Sequence, residues 1–326
     1  MSNEVGSRIR ELAERTLLDA AWAQWSVLTT AAIPADRRRA WTIVDPEALV
    51  LASLTVGHRE RRLDDMVASW AAEAAHLISL HRMRALAAGF PGAVKERLGI
   101  FTASATSAGD KRWKRLATGH NAAEYVPRLK GLGELRLLEG PALTMRLRAG
   151  FGVNAKADIL SLLIGFGGAA ADLKVIAAAT AYTERAVRTA TEEMTLAGFI
   201  HEIEGRPSSF YADPRAWANV LQSRRLDGGK RSGEGTLPPW RFWAAVFVFL
   251  AQVIDWSFEQ ERKGWTAYVA GSRARDLLDE HARKLRQAQI VLSPTALAPG
   301  ENVLGAFEEL VREIATWANA GLYGGS

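Results

Sequence analysis

Glu184, Arg185, Arg188, Thr189, Thr191 and Glu192 recur at helical spacing within one short stretch and are the side chains of this chain best arranged to contact something. Residues three and four apart on a helix share a face, so the set forms one polar surface able to meet a partner. Catalytic constellations fail elsewhere. His201-Glu202 has no second histidine four residues on, which rules out a zinc-protease helix. Gly165-Phe166-Gly167-Gly168 fits neither the dinucleotide nor the phosphate-loop pattern, and in Gly229-Lys230-Arg231-Ser232 an arginine stands where the phosphate loop needs serine or threonine. Asp64-Asp65, Glu192-Glu193 and Glu308-Glu309 are adjacent, so the two carboxylates of each pair diverge on a helix. His76 and His81 are five apart, a poor spacing for a shared metal. Cysteine is absent, which removes disulfides, thiol nucleophiles and cysteine metal sites together. No enzyme, cofactor or metal is expected from these patterns; an enzyme hidden in the N-terminal region would have to declare itself by a bound metal or nucleotide.

The elements that must carry the polar face can be read on either side of it. Ala157, Leu160, Leu163 and Ile164 predict a helix from 154 to 164 capped by Asn154. Asp172 caps a second helix carrying Leu173, Val175, Ile176 and Ala179 and ending at Thr180. After a tight Ala181-Tyr182-Thr183 turn, Thr183 caps a third, with Ala186, Val187, Ala190, Met194 and Ala197 toward the core and Gly198 as its left-handed stop. Phe199 to Glu204 and Ser209 to Ala212 predict two short strands joined by Gly205-Arg206-Pro207-Ser208.

This order resembles the winged helix-turn-helix transcriptional regulators of bacteria, in the run Ile176 to Val187 and in Ala197-Gly198-Phe199-Ile200, over about a fifth of the chain. The resemblance implies that the third helix enters a DNA major groove and that the hairpin, the wing, lies beside it. Thr183, Glu184, Arg185, Arg188, Thr189 and Glu192 would then face DNA, with Arg206 and Ser208 of the wing alongside. An arginine can pair bidentately with guanine O6 and N7, and Thr183 with nearby backbone amides can hold a phosphate. Ala181 occupies a turn position where such motifs often place glycine. Residues 151–221 carry six basic and eight acidic residues, a poor balance for a module that works alone on phosphates.

Basic surface must therefore come from elsewhere or from a second copy. Residues 1–150 hold twenty-two basic and sixteen acidic residues, with clusters at Arg37-Arg38-Arg39, at His58-Arg59-Glu60-Arg61-Arg62 and at Lys111-Arg112-Trp113-Lys114-Arg115. The whole chain is +5, with 48% hydrophobic residues, as a folded protein of two or three domains would be. Asp45-Pro46-Glu47 and Ser79 predict two helix starts in the N-terminal region, and the second, with His81, Arg82 and Arg84 exposed, makes a faint second helix-turn-helix.

The expected class is mainly α, with a basic N-terminal helical domain at 1–150, a central winged helix-turn-helix domain at 151–221, a flexible linker at 222–238 and a C-terminal helical domain at 239–326. Pro239 to Gln260, Ser272 to Ile290 and a stretch after Gly300-Glu301-Asn302 through Trp317 read as the C-terminal helices. Trp240, Phe242, Trp243, Phe247, Phe249, Trp256 and Phe258 exceed what one helix stripe needs, which suggests either a homodimer interface or a core shared with the N-terminal region. Arg241, Gln252 and Asp255 argue against a membrane span there, and Met1-Ser2-Asn3-Glu4-Val5 lacks the order of a secretory signal, so a cytoplasmic protein with no membrane partner is expected. The functional expectation is a sequence-specific binder of double-stranded DNA, a dimeric repressor. The alternative is a protein-interaction subunit of a defence or toxin-antitoxin system that docks its winged helix on protein.

Overall fold

The computed structural model describes residues 2–30, 39–116, 131–221, 237–292 and 303–322. Residues 222–236 of the expected linker, Arg37, Arg38 and Gly300-Glu301-Asn302 lie outside the described residues. The fold is mainly helical with a small three-stranded antiparallel sheet.

Thirteen α-helices are described: α1 (Ser2–Leu28), α2 (Pro46–Val56), α3 (Arg61–Ala74), α4 (Leu80–Ala87), α5 (Gly92–Ser107), α6 (Leu143–Phe151), α7 (Ala155–Gly165), α8 (Leu173–Thr180), α9 (Glu184–Leu196), α10 (Pro214–Leu221), α11 (Trp243–Lys263), α12 (Ala267–Gln287) and α13 (Val303–Ala320). Strands β1 (Ala171–Asp172), β2 (His201–Ile203) and β3 (Ser209–Tyr211) form the sheet in the order β1-β3-β2. Ala171 faces Phe210, and Ile203 faces Ser209 across the hairpin.

Ile9, Ala13, Leu17, Ala21, Leu28 and their neighbours line α1 at spacings of three and four, and that stripe is buried. It packs against α11, α13 and α2, so one hydrophobic core takes side chains from both ends of the chain. Trp22, Trp25 and Trp70 meet Trp243, Phe247 and Phe249 in it. This accounts for most of the aromatic surplus of α11: Trp243 lies 5.1 Å from Trp317, and Phe249 and Trp256 both contact Phe307, whereas Phe258 stays 43% exposed beneath the Arg10 guanidinium. Buried indoles usually find acceptors: Trp25 donates to Ser53 Oγ at 2.9 Å and Trp243 to Thr42 Oγ1 at 3.0 Å, while the N–H groups of Trp22 and Trp70 meet none among the described residues. Among the described residues no helix is long and apolar enough to cross a membrane.

A second core gathers α7, α8, α9 and the sheet through Leu160, Leu163, Ile176, Val187, Met194 and Phe210. Trp217 of α10 and Trp240, just before α11, complete it. Gly165 allows the close approach: a Cβ there would sit 2.8 Å from the Trp240 backbone N. That amide donates to the Gly165 carbonyl at 2.9 Å.

Arg82, expected on the surface, is wholly buried, whereas His81 and Arg84 are exposed as expected. Its Nη2 donates to Asp45 Oδ2 at 2.6 Å, and Nη1 lies 3.4 Å from Glu47 Oε2. The reason is Glu47, which sits in α2, a helix buried on every side, and a buried carboxylate requires paired cations. Arg148 of α6 supplies the second. It grips Asp158 of α7 through Nε and Nη2 at 2.7 and 3.0 Å, and Glu47 through Nη1 at 2.6 Å. Burial works against the Arg148 charge, but Asp158 and Glu47 outweigh it and hold the guanidinium protonated well above its ordinary value.

Candidate nucleic-acid interface

The three-helix unit begins at local signals. Asn154, Asp172 and Thr183 each cap a helix by accepting from the amide three residues on: Ala157 at 3.2 Å, Val175 at 2.8 Å and Ala186 at 3.2 Å. Ala181, between α8 and α9, takes the left-handed conformation at φ 57°, ψ 28°. A glycine would hold that turn without the steric penalty a Cβ brings, roughly 1–2 kcal/mol.

Two contacts fix the turn against the rest of the molecule. The Tyr182 hydroxyl donates to Asp158 Oδ2 at 2.9 Å, which ties the entry of α9 to the buried arginine network. Its ring stacks on His81 of α4 with centroids 5.0 Å apart and planes 8° from parallel. Burial, and then the adjoining Asp158 carboxylate, push the Tyr182 hydroxyl far above its ordinary range, so it remains a donor. Neither Tyr182 nor the network was singled out from sequence. The available signal was a carboxylate within a mostly apolar helical run, Glu47 in one and Asp158 in the other.

Thr183, Glu184, Arg185, Arg188, Thr189 and Glu192 are all exposed on α9. Arg185 and Arg188 have no carboxylate partner among the described residues. Arg206 is exposed in the turn between β2 and β3, and Ser208 is half-buried at its end. Thr191, placed on the same polar surface by its spacing, is instead buried and donates to the Val187 and Arg188 carbonyls at 3.0 and 2.9 Å. Its methyl joins the core side while the hydroxyl is satisfied by its own helix. Ala197, expected in the core, is exposed because α9 ends at Leu196 and the chain turns at Gly198, φ 73°.

A groove of about 550 Å³ opens between the starts of α7 and α9. Asn154, Lys156, Thr183, Arg185, Thr189 and Glu193 line it, and Lys156 reaches Glu193 at 2.5 Å. Two helix N-termini with their amides and dipoles, beside Arg185, make a surface that favours an anion, Lys156 being taken up by Glu193. Asp158 is buried and neutralised by Arg148, which lies outside residues 151–221, so one of the eight acidic residues does not bear on the free surface; the Lys156–Glu193 pair removes one charge of each sign and leaves the balance unchanged.

The basic clusters of the N-terminal region divide. Arg59 pairs with Glu14, Arg62 with Glu60 at 3.0 Å, Arg39 with Glu139 at 3.2 Å and Arg112 with Asp110 at 2.6 Å. Trp113 is no surface aromatic between charges; it is buried, 4.7 Å from Phe101. Lys111, Lys114 and Arg115 remain exposed around it. Among the described residues no three His, Asp or Glu side chains gather as metal ligands would. No family model, curated protein or solved structure matches this chain.

Proposed function

We propose that the chain is a sequence-specific regulator of double-stranded DNA that binds as a homodimer through a winged helix-turn-helix formed by α7, α8, α9 and the β2-β3 hairpin, and represses by occupying its operator. The observation that carries this reading is the exposed face of α9: Arg185 and Arg188 unpaired, on a helix whose Thr183-capped start opens on an anion-favouring groove. In it Arg185, Arg188, Thr189, Glu184 and Glu192 read base edges, Thr183 holds a phosphate, and Arg206 and Ser208 reach the adjoining backbone. Two copies would place their α9 helices about one DNA turn apart.

The test is fluorescence anisotropy of the protein against duplex from its own upstream region and a scrambled control across a salt series. The reading requires preference for the upstream duplex, a fall of affinity with salt, and loss of the preference in Arg185→Ala/Arg188→Ala. Equal binding to both duplexes, or to neither, overturns it.

A second reading has its own support. Phe151 and Phe199 are each nearly half exposed and lie 6.0 Å apart, and Leu196, the last residue of α9, is 91% exposed. An apolar surface on the same unit suits a protein partner, as in an interaction subunit of a defence or toxin-antitoxin system. Salt-independent capture of a protein with no duplex affinity would favour it.

A further inference from the structure

A cavity of about 500 Å³ lies where α7 and α8 meet the helices from the far end of the chain. That volume is within the range of small-molecule sites, roughly 300–1,000 Å³. Its walls come from four places: Phe166 and Val175 around the α7-α8 connection, Trp240, Arg241 and Phe242 before α11, Gln287 and Gln289 at the end of α12, and Trp317 of α13. Phe166 and Phe242 are 6.3 Å apart.

Polar groups in these walls lack partners. Arg241 has no carboxylate among the described residues; its Nη1 donates to the Trp317 carbonyl at 2.7 Å, and its guanidinium lies 3.7 Å over the Trp317 ring. One bond leaves most of the five guanidinium N–H groups uncommitted. Trp240, nine-tenths buried, has an indole N–H with no acceptor. That N–H is closed off from the cavity, as those of Trp22 and Trp70 are closed off in the larger core, so it is the half-buried Arg241 guanidinium, with donors still open, that can take an acceptor from outside the chain. Burial without a counter-charge pulls the Arg241 pKa down to about 10, the reverse of the carboxylate-paired Arg82 and Arg148.

The geometry points to a binding site for a small planar carboxylate, its flat body against the aromatic walls at Phe166, Trp240 and Phe242 and its anion on Arg241. Arginine matches a carboxylate bidentately, and aromatic walls suit a flat apolar body. The occupant would touch the α7-α8 unit and the helices of the larger core at once. The site stands whether or not α9 reads DNA.

Isothermal titration of the full chain with benzoate, phenylacetate and their uncharged amides tests it. The carboxylates should bind at least about tenfold more tightly than the amides, equivalent to about 1.4 kcal/mol. Arg241→Gln should abolish that preference, and Val175→Trp, which adds bulk to one wall, should abolish binding of both kinds. Arg185→Ala/Arg188→Ala should bind the carboxylates unchanged, which separates failure of this site from failure of the DNA reading. No carboxylate binding at millimolar concentration, equal binding of the amides, or unaltered binding in Arg241→Gln overturns the assignment. Should Arg241→Gln fail to fold, the carboxylate-amide comparison on the wild-type protein decides alone.

Discussion

Arg82 and Arg148 are wholly buried and paired with Asp45, Glu47 and Asp158, while Arg185 and Arg188 stand exposed with no carboxylate. All four are helical arginines, and local sequence barely separates them. What separates them is the partner. A guanidinium taken from water must find carboxylates of its own chain, and its job is then to hold elements in register. One left in water without a carboxylate keeps its hydrogen-bonding capacity for another molecule. The two sets are joined physically, because Asp158 accepts from Arg148 in the core and from Tyr182 at the entry to α9.

The largest effect that would break this contrast is on stability. Arg148→Ala strands Glu47 and Asp158 without their main cation and should cost about 3–5 kcal/mol. Arg188→Ala should stay within about 0.5 kcal/mol in the same urea titration, as surface substitutions do. Similar losses for the two would erase the distinction between structural and available arginines.

Tyr182→Phe probes the join. It removes a hydrogen bond to a charged group, worth about 1.5–3 kcal/mol, and leaves the ring free to stack on His81. Loss of stability with retained helix content is the expected outcome by urea melting and circular dichroism. A stability equal to wild type would mean that the turn is held by stacking and backbone alone.

On the exposed side, Arg188→Ala should weaken specific duplex binding by roughly 1–3 kcal/mol, the range for a good base contact. An unchanged anisotropy titration would remove that residue from the recognition role while leaving Arg185 to be tested singly.

The parts of the fold legible in sequence are those decided within a few residues. Asp45, Ser79, Asn154, Asp172 and Thr183 were each readable as caps, and each accepts from the amide three residues later. The exposed residues of α9 were legible for the same reason, since helical period assigns faces. Thr191 escaped the period because a small side chain can satisfy its hydroxyl on its own helix and still be buried. Arg82 and Arg148 escaped altogether: Asp45 lies 37 residues from Arg82 and Glu47 101 from Arg148, and Asp158, though only 10 residues from Arg148, sits on a different helix whose packing no local pattern encodes. Surplus aromatics signalled burial in α11, but whether in a shared core or against a second copy depended on contacts with α1 that no spacing encodes.

The smallest expected effect concerns a histidine that shares the fate of the buried arginines without their partners. His281 of α12 is 3% exposed, neither ring nitrogen has a hydrogen-bond partner, and its ring meets Phe249 at 5.7 Å. Burial lowers its pKa below the ordinary 6.5; Glu280 opposes the shift and Lys284 adds to it. The unfolded chain therefore binds this proton more readily than the folded one, and stability falls as pH drops below 6.5 toward the lowered folded-state value, beneath which the loss is complete. One proton can contribute at most about 1.4 kcal/mol per pH unit, and an incomplete difference in protonation contributes less. In His281→Leu the slope of unfolding free energy in that window should flatten, with stability at neutral pH kept by the apolar replacement. Parallel profiles for wild type and variant would show that His281 keeps its proton in the folded state. Burial without a partner would then not suffice to discharge it.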